Sequence, residues 1–263
     1  MTARKIVVTS GKGGVGKTTT TANLGATLAK RGRRVILVDA DIGLRNLDLV
    51  LGLEKRIVFD LVEVAEGRCQ LRQALIKDKR FDSLAVLPAA QTREKDAITA
   101  EQFAGIVESA AEGADYVLID CPAGIETGFR NAVAGATEAI VVTTPEVSAI
   151  RDADRVIGKI SEAKKPIRLI VNRLRPEMVR SGDMLSVEDV CDVLSVELLG
   201  VVPDDEEIID TTNRGEPIVL NEANRLRAIY EKIARRLEGE LVPFTNFENQ
   251  TLFGRLIGAL KAG

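Results

Sequence analysis

The sequence predicts an α/β fold: a mostly parallel, twisted sheet of about seven or eight strands with helices on both faces. Two observations predict it. Short apolar runs recur along the chain with helical stretches between them, the alternation that a parallel sheet covered on both sides requires. Most of these runs are apolar throughout, as strands buried on both faces are. A third feature, a glycine-rich loop after the first run, narrows the class further.

The first run, residues 5–9 (Lys-Ile-Val-Val-Thr), reads as a buried strand, and a helical stretch starts at Thr18 and continues to about Lys30. Between them lies Gly11-Lys12-Gly13-Gly14-Val15-Gly16-Lys17-Thr18-Thr19, which fits the phosphate-loop pattern G-x-x-x-x-G-K-[ST] at every fixed position. Its glycines let the backbone turn several N–H groups inward, and the positive end of the following helix adds to that anion site. Lys17 supplies a point charge for the β and γ phosphates of a nucleotide, and the Thr18 hydroxyl is a ligand for Mg²⁺. The expected fold is therefore that of a P-loop NTPase.

Further strands are expected at residues 34–38, 84–87, 116–119, 139–142, 167–171 and 198–202. In such sheets the ligand lies beyond the carboxyl ends of the strands. Three of these ends carry carboxylates: Asp39 and Asp41 after the second strand, Asp120 after the fourth, Asp204 and Asp205 after the last. Asp120 follows four apolar residues and reads as a Walker B aspartate, which holds Mg²⁺ through a water. Pro122 and Gly124 suit a tight loop near the γ phosphate.

Composition excludes several classes. Of 263 residues, 45% are hydrophobic and 29% charged, which is globular composition, and with no Trp the core must be mostly aliphatic. The net charge of −3 lacks the basic excess of a general nucleic-acid binder. Cys69, Cys121 and Cys191 are scattered and form no C-x-x-C, so neither a disulfide framework nor a zinc or iron–sulfur site is expected, and a reducing cytoplasm fits. No signal-peptide pattern and no membrane-spanning run is apparent. Histidine is absent, so general bases and metal ligands fall chiefly to carboxylates.

Lys12, a second lysine at the start of the loop, makes the run from Lys12 to Thr19 resemble the deviant Walker A box of the MinD/ParA family of ATPases. The resemblance extends to residues 39–48, 120–124 and 180–186. It implies an ATP-dependent homodimer in which Lys12 reaches the phosphates bound by the partner subunit. It also implies that Asp41 orients the attacking water, that Asp39 supports the Mg²⁺ shell, and that Asn46 belongs to the same switch loop. Asn172 and Arg173 are implied as adenine contacts, with Pro203 and Asp205 completing that pocket. Arg151 and Asp152, on a helix opening near Glu146, are implied at a surface that receives partners. For the cell-division branch of the family the implied partners are a MinC-like inhibitor and, in species that have one, a MinE-like activator. A ParA-like DNA-segregation ATPase is the alternative; the acidic balance and the apolar tail speak against it.

The chain divides into an ATPase domain at 1–241, a connector at 242–248 and a tail at 249–263. At 3.6 residues per turn, Leu252, Phe253, Leu256, Ile257 and Leu260 share an arc of roughly 140°, with Gly254 and Gly258 opposite. Arg255 and Lys261 flank the arc and can snorkel to anionic headgroups. This reads as an amphipathic membrane-targeting helix. One copy binds weakly; two, joined at an effective concentration of roughly millimolar, hold firmly. The expectation is a cytoplasmic protein that sits peripherally on the cytoplasmic face of the membrane according to nucleotide state.

Overall fold

In the computed structural model, which describes residues 2–94, 96–245 and 247, the strands are β1 (Arg4–Thr9), β2 (Val35–Asp39), β3 (Ile76–Lys77), β4 (Leu84–Leu87), β5 (Tyr116–Asp120), β6 (Glu138–Thr143), β7 (Ile167–Leu174) and β8 (Glu197–Pro203). They form one sheet in the order β3-β4-β2-β5-β1-β6-β7-β8. Every pairing is parallel except β3 with β4. Seven strands coincide with the apolar runs. The eighth, β3, is a two-residue antiparallel edge, too short to leave a periodic signal; its brevity and its exposed Lys77 also blunt the edge.

The strands are apolar throughout because both faces are covered. Ile6, Val8, Leu37 and Leu118 pack with Leu24 and Leu28 of α1 (Lys17–Lys30) and with Leu226 and Ile233 of the helix Arg225–Leu237. Val7, Val38, Val117 and Ile119 point the other way, onto Phe103, Phe129 and Val156 of the helices Ala100–Ala111, Thr127–Gly135 and Val147–Glu162. Successive side chains of a strand alternate faces, so one run feeds two cores.

The central β1 lies between β5 and β6, so its carboxyl end opens into the crevice where connections leave to either side. Register places Val8 beside Asp120 and Asp39 beside Asp120. Residues from three separate stretches thereby meet at one point of the sheet.

The connector is pinned rather than loose. Arg236 donates to the carbonyls of Val242 (2.8 Å), Pro243 (2.8 Å) and Leu199 (3.1 Å), and its guanidinium sits 4.0 Å from the Phe244 ring centroid. Lys232 bonds the Thr245 hydroxyl and Phe247 packs on the core, so residues 242–245 and 247 run along the body. No helix among the described residues is long and apolar enough to cross a membrane.

Candidate nucleotide site

The loop from Gly11 to Gly16 crosses the end of β1 and delivers the chain into α1. Gly16 is the N-cap, with φ 90° and ψ 24°, a left-handed conformation that favours glycine. No side chain caps the helix and no acidic residue stands in its first turn, which leaves the N-terminal amides and dipole directed at an anion. The loop is buttressed from behind: Asn172 on β7, 5% exposed, donates its amide to the Val15 carbonyl at 2.8 Å. A Cβ on Gly16 would overlap that amide, and one on Gly11 would overlap the backbone of Asp152. Ser10 also ties the loop, donating to the Lys12 carbonyl at 2.9 Å.

Beneath the loop lies a buried charge cluster. Lys17 Nζ stands 3.8 Å from Asp120 Oδ1. Thr18 and Thr21 direct hydroxyls at Asp120, the latter at 3.3 Å while also bonding the Lys17 carbonyl. Asp39, 0% exposed, accepts the backbone N–H groups of Asp41 (2.9 Å), Leu47 (3.1 Å) and Asn46 (3.2 Å). Burial pushes the Asp39 carboxyl up to about 7, reinforced by the Asp120 charge and opposed by those three amides. Burial raises Asp120 as well, against Lys17 and the two threonines. For Lys17 burial disfavours the charge, but Asp120 and the neighbouring acidic groups outweigh it and hold the ammonium above its ordinary range. Cys121, whose thiol burial pushes up to about 12, is inert packing.

Two buried carboxylates that resist ionisation, beside a threonine hydroxyl, form an oxygen-only donor set in want of a cation. Two carboxylates and a hydroxyl fit Mg²⁺, which takes one or two carboxylates and completes its shell with water and phosphate oxygens. Thr18, Asp39 and Asp120 are the residues that would hold it.

A cavity of about 570 Å³ runs from the loop between two walls. The loop end is lined by Ser10, Gly14, Gly16, Lys17, Thr18 and Thr19; one wall is Asn46, Leu49, Val50, Gly52 and Glu54; the other is Thr212, Asn213, Arg214 and Gly215, with Arg173 at the rim. Of the residues implied as adenine contacts, Arg173 reaches this cavity, exposed and at φ 56°. Asn172 bonds the loop and is not among the residues lining the cavity. Pro203 is buried at the end of β8, and Asp205 bonds the Glu207 N–H and Arg225; neither lines the cavity.

Lys12 is exposed and its Nζ lies 3.4 Å from Ser148 Oγ, outside the cavity lining. Arg151 and Asp152 lie on the same helix as Ser148, Arg151 exposed and Asp152 3.8 Å from Arg155. Asp41 is half-buried beside Asp39. Leu252, Phe253, Arg255, Leu256, Ile257, Leu260 and Lys261 lie outside the described residues. Sequence reasoning missed Thr21 and the walls around Gly52 and Gly215. The run of four threonines from Thr18 carried a signal for Thr21, which stands one helical turn beyond Lys17; nothing local marks the walls.

Comparison with known proteins agrees with this geometry. Residues 6–218 match the family model described as the CobQ/CobB/MinD/ParA nucleotide binding domain. The septum site-determining protein MinD of Synechocystis sp. is 58% identical, covering 99% of both chains. The MinC:MinD cell division protein complex of Aquifex aeolicus superposes with a TM-score of 0.87 at 52% identity, over 93% of this chain and 99% of that one. The septum site-determining protein MinD of Pyrococcus horikoshii, complexed with Mg-ADP, superposes with a TM-score of 0.82 at 34% identity, over 90% and 96%.

Proposed function

The chain belongs to the MinD family of septum site-determining proteins, within the CobQ/CobB/MinD/ParA nucleotide-binding class, and from that premise we propose an ATP-driven membrane switch. In this reading ATP and Mg²⁺ bind at the loop, two chains pair face to face, the paired tails hold the membrane, and a MinC-like inhibitor docks until hydrolysis releases the assembly. A MinE-like activator would accelerate that release.

The observation that carries the reading is the pair of lysines. Lys17 is largely enclosed by the acidic cluster, its side chain 11% exposed, while Lys12, five residues earlier in the same loop, is exposed. One is placed to serve its own phosphates; the other is left outward for a second copy. The Mg–ADP bound to the Pyrococcus relative and the MinC partner of the Aquifex relative support the ligand and the partner.

The chain's own groups divide the work. The amides of Gly14 to Thr19 and the N-terminus of α1 bind the phosphates. Lys17, kept charged by Asp120, neutralises the charge that grows as the γ phosphate leaves. Thr18, Asp39 and Asp120 would hold Mg²⁺, which would supply positive charge to the phosphate oxygens. Asp39 is held rigid by three amides and cannot swing, which fixes the backbone of Asp41, and Asp41 orients the attacking water.

Vesicles containing phosphatidylglycerol test the whole reading. The full chain should sediment with them in Mg²⁺-ATP and not in Mg²⁺-ADP, and a chain ending at residue 248 should dimerise with ATP yet stay in the supernatant. Equal sedimentation in both nucleotides, or retention by the shortened chain, would overturn it.

A further inference from the structure

The two walls of the nucleotide cavity meet behind it, backbone on backbone. Gly52 (φ 64°) and Gly215 (φ 66°) are packed so closely that a Cβ on Gly52 would lie 2.9 Å from the Gly215 carbonyl oxygen, and one on Gly215 would lie 2.7 Å from the Gly52 nitrogen. Only residues without a side chain allow that approach in that conformation. The two positions are far apart in sequence, one beyond the switch residues Asp39 to Asn46 and the other beyond β8.

One arginine staples the contact. Arg80 donates through Nη2 to the Leu51 carbonyl (2.6 Å) and through Nη1 to the Gly215 carbonyl (2.9 Å). Its fork is fixed by Asp78, 3% exposed, which takes Nε at 2.9 Å and Nη2 at 2.6 Å. Asp78 and Arg80 belong to the turn between β3 and β4, so the short antiparallel edge carries the staple to the back of the cavity. A second tie, Arg56 Nη1 to the Lys77 carbonyl at 2.6 Å, holds the segment after Gly52 to β3. A planar guanidinium spanning two carbonyls and a carboxylate cannot be copied by a lysine.

We propose that Arg80, oriented by Asp78, is a positioning residue for the nucleotide: by clamping Gly52 against Gly215 it sets the separation of the walls that receive the nucleoside, and it ties the wall that follows the switch residues to the wall opposite. The inference rests on the reading that this cavity holds the nucleotide. The phosphates are taken by the loop, so the lining beyond it is what remains for sugar and base. Arg80 touches neither and acts only through the walls.

The two halves of the ligand can be probed separately. Displacement of a fluorescent ATP analogue by Mg²⁺-ADP reports the whole site, and displacement by tripolyphosphate reports the loop alone. Arg80→Ala should weaken ADP about tenfold, because unclamped walls hold the binding-competent spacing only about a tenth of the time, and leave tripolyphosphate within about twofold; Arg80→Lys should not rescue it. The preference for ATP over GTP should fall in the same variants. If Arg80→Ala does not fold, Asp78→Asn, which keeps the side-chain shape but loosens the hold on the Arg80 fork, decides by the same measurements. An unchanged ADP affinity in a folded variant, or equal losses for ADP and tripolyphosphate, would overturn the clamp. Failure of the unaltered chain to bind ADP would instead refute the nucleotide reading.

Discussion

Gly16→Ala and Asn172→Ala test the buttress of the phosphate loop as a pair. Gly16 sits at φ 90°, so an alanine there carries roughly 1 kcal/mol of backbone strain. Its methyl would also displace the Asn172 amide and strip the Val15 carbonyl of its partner. A buried acceptor left unpaired costs about 1–3 kcal/mol, so the single variant should lose about 2–4 kcal/mol. Asn172→Ala alone removes the same bond, costing about 1–3 kcal/mol. The double variant has already vacated the space the methyl needs and loses the bond once, so it should resemble Gly16→Ala alone. The cycle should therefore show a coupling of about 1–3 kcal/mol. Urea unfolding of the nucleotide-free chain in EDTA measures all four corners. Costs that add to within about 0.5 kcal/mol would refute the argument, because independent losses are possible only if the Asn172 amide does not hold Val15.

Three further outcomes are expected. Asp39 holds its proton more tightly folded than unfolded, so without nucleotide and metal its contribution to stability is full below its ordinary value of 3.8 and is lost as pH rises through about 7; Asp39→Asn should flatten that slope in pH-dependent urea midpoints, and an unchanged slope would assign it to other groups. Lys12→Ala should bind nucleotide normally yet remain monomeric with ATP in analytical ultracentrifugation, whereas an intact dimer would exclude the cross-subunit role. Asp41→Ala should slow phosphate release by about a hundredfold or more, the range for loss of a general acid–base group, and accumulate the ATP dimer; a turnover rate like that of the unaltered chain removes Asp41 from the mechanism.

The loop and its surroundings were readable from the chain because their cause is local. A buried run, four fixed loop positions and a helix start follow one another without interruption, and the carboxylates of Asp39 and Asp120 stand where apolar strands stop. The family followed from the same stretch through Lys12. Pairing was another matter. That Asp39 and Asp120 are neighbours is a fact of register between β2 and β5. Asn172 is implied near the base by resemblance; that its amide also holds the Val15 carbonyl, 157 residues away, is visible only in the folded chain. Arg236 likewise fastens the connector, bonding the carbonyls of Val242 and Pro243.

What the sequence determined by itself was the list of chemical groups and the elements that bear them, because periodicity, glycine and charge act over a few residues. What only the tertiary structure decided was which groups share a volume: the meeting of Gly52 with Gly215, the reach of Arg80, the nearness of the two buried carboxylates. Those depend on strand order and on close packing between distant segments, and neither leaves a mark on the residues immediately around them.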